Sequence, residues 1–155
     1  MGIGAWIREG WQRARRVPGG RLMFSRLLGA IIPYTGSIGA EVLVLEPGYA
    51  KVQLDERRAI RNHLRSIHAI ALANLGELTG NLALVCALPD DARFIVTQLA
   101  IKYEKKARGR ITAECRCEPP QSAERREYEL EVALRDESGA DVARVVLTTL
   151  VGTTR

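Results

Sequence analysis

Ser66-Ile67-His68-Ala69-Ile70-Ala71-Leu72-Ala73-Asn74-Leu75-Gly76-Glu77-Leu78-Thr79 decides the fold. Ile67, Ile70, Ala71, Leu75 and Leu78 recur at helical spacing, with small residues between them. That helix is apolar on most sides, so it is expected to be buried rather than to lie on a surface. A buried helix needs cover, and the sequence around it supplies strands. Upstream, residues 42–45 and 50–54 flank Glu46-Pro47-Gly48-Tyr49, a short turn suited to a hairpin. The polar stretch 55–62 then leads into the helix. Downstream, residues 82–88, 94–103, 110–118, 127–135 and 141–151 read as strands. In the third of these, Ile111, Ala113, Cys115 and Cys117 face one way and Arg110, Thr112, Glu114, Arg116 and Glu118 the other. Tyr128, Leu130, Val132 and Leu134 oppose Glu127, Glu129 and Glu131 in the same manner. Such alternation belongs to an antiparallel sheet with one wet face. The class is therefore α+β, an antiparallel sheet wrapped around one long central helix.

Ahead of this domain lies a different kind of sequence. Residues 4–16 and 20–32 read as two helices broken at Val17-Pro18-Gly19-Gly20, and Pro33-Tyr34 ends the second. We divide the chain into a basic helical arm, 1–34, and a domain, 35–155. The formal charge of +5 belongs to the arm, where Arg8, Arg13, Arg15, Arg16, Arg21 and Arg26 face Glu9 alone. The rest is neutral and has no basic stripe, which speaks against nucleic acid as a partner. An aromatic content of 5% also disfavours stacking platforms for single strands. No secretory or myristoylation signal fits, and 27–32 is far too short to span a bilayer. The arm is expected to dock on the core; contact with an anionic membrane surface is a weaker alternative. The three cysteines form no disulfide or zinc framework, which suits free thiols in a reducing cytoplasm.

The densest polar cluster is Arg61-Asn62-His63, then Ser66, His68 and Glu77. His68 falls at the helix start, where free N–H groups and partial positive charge suit a polarised carbonyl or an oxyanion. The small Ala69 lets a substrate approach that backbone. Glu77, a carboxylate on a largely apolar helix, suits a general base or nucleophile. Nine helical steps of about 100° turn through roughly 900°, which puts Glu77 opposite His68. One site using both needs two subunits across a two-fold axis. A capping histidine and an ion-paired glutamate would satisfy the same residues structurally.

From Asn62 to Ala69 and on to Glu77, the sequence resembles the signature of small hotdog-fold thioesterases of the phenylacetyl-CoA type. These have an Asn, a His followed by small residues at a helix start, and a carboxylate nine positions after the His, as His68 and Glu77 stand here. The stretch 99–109 is similar to the strand and turn that follow in that family. The whole chain looks like bacterial hotdog proteins grouped with the thioesterases, whose N-terminal arm ends in Pro-Tyr. The resemblance covers about 38–151 and implies an acyl-CoA thioesterase working as a homodimer or dimer of dimers. It implies no cofactor beyond the coenzyme A of the substrate. Glu77 of one subunit would activate water or attack the thioester, Asn62 and His68 of the other would orient it, and the Ala69 N–H would polarise the carbonyl. Arg57, Arg58, Lys105, Lys106 and Arg108 are candidates for the coenzyme A phosphates, with His63 and Tyr34 as further substrate contacts. Three departures stand out: Ala69-Ile70 replaces Gly-Gly after the His, the carboxylate is Glu rather than Asp, and the usual strand hydroxyl has no clean match. Val96 falls at that place and Thr97 one step away, on the opposite face. A non-catalytic acyl-CoA or lipid-binding module is the competing reading, and a hotdog dehydratase lacks its Pro-rich or MaoC-like motifs here.

Overall fold

In the computed structural model, residues 2–153 are described. The arm forms α1 (Ile3–Ala14), α2 (Gly20–Ile31) and a single turn, α3 (Pro33–Gly36). The hairpin β1 (Glu41–Glu46) and β2 (Tyr49–Asp55) follows, then a short 3-10 turn and the central helix α4 (Ala69–Val85). β3 (Ala92–Tyr103), β4 (Arg110–Arg116), β5 (Arg126–Arg135) and β6 (Asp141–Thr153) complete the chain. The six strands form one antiparallel sheet in the order β1-β2-β4-β5-β6-β3. Its concave face holds α4, and Leu54, Leu75, Ile111, Leu130, Val132, Leu134 and Leu147 fill the layer between them.

One strand of the sequence reading is not a strand. Residues 82–85, expected to begin a strand at 82–88, are the last turn of α4, and Cys86 caps it. Leu82, Ala83, Leu84 and Val85 are all buried, and an apolar run fully inside a core reads alike as helix or strand. Gly76 and Gly80 let α4 lie directly on the sheet. A Cβ at Gly80 would stand 2.6 Å from Leu147 Cδ1, and one at Gly76 would collide with the Val145 side chain.

The arm is docked. Trp11 packs edge-on against Phe24 with centroids 5.4 Å apart, and both join the same core as α4. Ser25 Oγ accepts from Val42 N at 2.9 Å and donates to Arg21 O at 2.8 Å, so it satisfies a buried donor of edge strand β1. Arg8 Nη1 donates to Cys86 O and Leu88 O at 3.0 and 3.1 Å. This places a cation on the negative end of α4.

Gly76→Ala is expected to lower the unfolding free energy by about 1–2 kcal/mol. Overpacking against Val145 outweighs the gain in helix propensity. A urea titration should show a lower midpoint at unchanged slope.

Candidate functional site

The loop entering α4 is tied down at several points. Asn62 N donates to Ser66 O at 2.9 Å, Ile67 N to Ala107 O at 2.8 Å and His68 N to Ile60 O at 2.8 Å. Asn62 Oδ1 accepts from Leu64 N at 2.9 Å and from both Ser66 N and Ser66 Oγ at 3.2 Å. Arg65, at φ 54°, takes the left-handed conformation that closes this tight turn. Glu56 clamps the loop from outside: Oε2 accepts from Gly109 N and Oε1 from Arg61 Nε, each at 2.6 Å. The Gly109 N–H, helped by Arg61, holds the Glu56 carboxyl below the usual glutamate range.

His68 is the N-cap of α4. Its Nδ1 accepts from Ile70 N at 3.1 Å, which leaves the proton of the neutral ring on the exposed Nε2. The Ala69 N–H has no acceptor among the described residues, while Ala69 O accepts from Tyr103 Oη at 2.8 Å. Burial pushes the Tyr103 hydroxyl above its ordinary value, so it remains a donor at neutral pH. The first turn of α4 is thus anchored through its carbonyl and open at its amide. Tyr34 reaches the same place: it lines a hollow of about 240 Å³ with His68, Ile70 and Ala71.

Glu77 is half-buried at mid-helix and has no ion pair or hydrogen bond among the described residues. Ile70, Asn74, Glu77 and Asn81 share a sector of α4 about 60° wide. Asn74 Nδ2 donates to Tyr34 O at 3.1 Å, but the buried Oδ1 atoms of Asn74 and Asn81 have no partner among the described residues. The polar spacing 74–77–81 could have been read from the sequence, and the apolar count around it masked it. Along the axis Glu77 lies about 13 Å from His68. Within one chain, therefore, Asn62, His68 and Ala69 gather at the helix start, and Glu77 stands apart.

The basic residues gather at that same end. Arg108 Nε donates to Arg65 O at 3.3 Å, which joins the 104–109 turn to the helix entry, and His63 lies exposed on the entry loop. Arg58 and Lys106 are exposed. Arg57 is engaged with Ser37 O at 2.7 Å and Lys105 with Asp136 at 2.5 Å. Thr97 sits at the irregularity of β3 between Val96 and Gln98, and its hydroxyl donates to Thr148 O at 3.1 Å. Strict alternation, on which its expected facing rested, is interrupted at that bulge.

A family model described as a domain of unknown function (DUF4442) matches residues 20–151. The chain belongs to that family. This DUF4442 domain has the hotdog fold, with its open sheet wrapped around α4. A structural-genomics crystal structure superposes at a TM-score of 0.83 with 27% identity, covering 96% of this chain and 99% of its own. A Pseudomonas aeruginosa protein described as a probable thioesterase gives 0.77 and 26%, covering 89% and 97%. A thioesterase from Haemophilus influenzae shares the fold at 0.67 and 16%, covering 77% and 82%. No curated protein matches the sequence. Among the described residues no helix is long and apolar enough to cross a membrane.

Glu56→Gln is expected to cost about 2 kcal/mol at neutral pH, because two charge-assisted bonds weaken together. The lowered carboxyl stabilises the fold above the pH at which an unfolded glutamate ionises. That contribution fades as pH falls through the folded value. Urea midpoints of parent and variant should therefore converge in acid.

Proposed function

We propose that this protein is an acyl-CoA thioesterase, acting in the cytoplasm, whose site is shared between two subunits. The observation that carries the reading is Glu77: an unpaired carboxylate on a buried apolar helix, facing the side its own sheet leaves open. The thioesterases among its structural relatives support the same reaction class.

β3 supplies the route to a dimer. Twelve residues long, it is an edge strand paired with β6 alone, and it exposes Ile95, Leu99 and Tyr103. Long apolar edge strands are templates for pairing. If two copies join β3 to β3 about a two-fold normal to the sheet, both α4 helices fall on one face and run antiparallel. The start of one helix then lies beside the later half of the other. In this arrangement Glu77 meets Asn62 and His68 of the partner subunit, which agrees with the opposite facing of Glu77 and His68 on one helix. Glu77 takes a proton from water as the water oxygen attacks the thioester carbon and hands it to the departing sulfur. If Glu77 attacks that carbon itself, the sulfur leaves as thiolate and is protonated from solvent, and water then hydrolyses the mixed anhydride. The open Ala69 N–H receives the developing oxyanion. Coenzyme A leaves as its thiol, with Arg58, Lys106 and Arg108 near its phosphates, and the carboxylic acid remains. Pairing as a dimer of dimers is compatible with this unit.

The competing reading, a non-catalytic acyl-CoA or lipid-binding module, has one specific observation behind it. Asn62 Oδ1 and the Thr97 hydroxyl are already engaged within the chain.

Hydrolysis of an acyl-CoA panel, followed by a thiol reagent, separates the two. Glu77→Gln should lower kcat about a hundredfold or more. Binding without turnover would favour the binding module, and an unchanged rate in the variant would overturn the assignment of Glu77. Mixing Glu77→Gln with Asn62→Ala subunits should restore about one working site in each heterodimer, and no recovery would place the whole site in one chain.

A further inference from the structure

The face of α2 turned away from the core is as apolar as the face turned toward it. Phe24 and Leu28 are buried, whereas Met23, Leu27 and Ile31 are 64%, 52% and 51% exposed. The exposed three recur every fourth residue and so form one stripe along the helix. Leu22 and Ile32 extend it at the two ends. Isolated surface leucines call for no explanation, but a continuous stripe on a docked helix does.

The charges around this stripe are mostly positive, with Glu9 and Glu41 the acidic neighbours. Arg8 is committed to the end of α4, and Arg13 pairs with Glu9 at 3.3 Å. Arg15, Arg16, Arg21 and Arg26 have no carboxylate in ion-pair reach among the described residues. Arg15 and Arg21 share a hollow with Val17, Leu22 and one carboxylate, Glu41, which ion-pairs with neither, where the stripe begins, and Arg26 lines the cleft along its flank. An apolar helix face bordered by unpaired guanidinium groups matches a lipid surface with anionic headgroups. A second copy of the chain fits less well. It would bring like charges together, and the stripe adjoins β1, at the opposite edge of the sheet from β3.

We propose that α2 is a membrane-docking surface, its Met23–Leu27–Ile31 stripe entering the interface of an anionic bilayer while Arg15, Arg16, Arg21 and Arg26 meet the lipid phosphates. The protein lies on the bilayer peripherally. The inference is independent of the thioesterase assignment.

Co-sedimentation of the full chain with vesicles tests it. Vesicles of equal parts phosphatidylcholine and phosphatidylglycerol should carry the protein down at low salt, pure phosphatidylcholine should not, and added salt should release it. Leu27→Glu with Ile31→Glu should abolish sedimentation at unchanged melting temperature, since both side chains are exposed. Arg15→Gln with Arg16→Gln should weaken the partition about tenfold or more. The proposal fails if the parent ignores anionic vesicles or if the Leu27/Ile31 variant binds as the parent does. It fails equally if that variant changes the molecular mass in light scattering, which would make the stripe a contact between copies.

Discussion

Contact of the α4 backbone with the side chains of β6 governs the rest of the molecule. Gly76 and Gly80 remove the side chains that would otherwise hold helix and sheet apart, and Val145 and Leu147 occupy the space. That contact fixes the rotation of α4 about its axis. With the glycines turned to the sheet, Leu75 and Leu82 fall into the core and the Asn74–Glu77–Asn81 stripe falls on the less covered side. Packing at interior density leaves little freedom to rotate the helix and recover another arrangement. The position of the one carboxylate on α4 is thus set by two residues that have no side chain.

The other end of the helix is held by polar contacts instead. Asn62, Ser66 and Arg65 form a turn tight enough to need a left-handed residue, and Glu56 ties it to the turn at Gly109. Tyr103 reaches in from β3 to the carbonyl of Ala69. Since β3 is also an edge strand, this hydrogen bond ties the first turn of α4 to that edge of the sheet.

Much of this was legible in the sequence, for identifiable reasons. The hairpin, β4 and β5 each have one dry and one wet face, and period-two alternation reports that directly. The opposition of His68 and Glu77 followed from helical phase. Residues 82–85 were misread because a segment buried on all sides has no periodicity to show. Asn62 was read for its chemistry, whereas the fold uses its carbonyl oxygen to close a turn. Tyr103 and Glu56 escaped notice because their partners lie 34 and 53 residues away in the chain, and no local pattern encodes such contacts.

The conserved-domain boundary and the physical boundary of this protein do not coincide. The family match begins at residue 20, within one position of the turn that separates α1 from α2. Yet α1 supplies Arg8 to the carbonyls of Cys86 and Leu88 just past α4, and Trp11 to the ring of Phe24. A chain trimmed to the matched segment would keep every strand and lose the plug at the far end of its central helix. The packed unit is therefore longer than the unit that sequence kinship recognises.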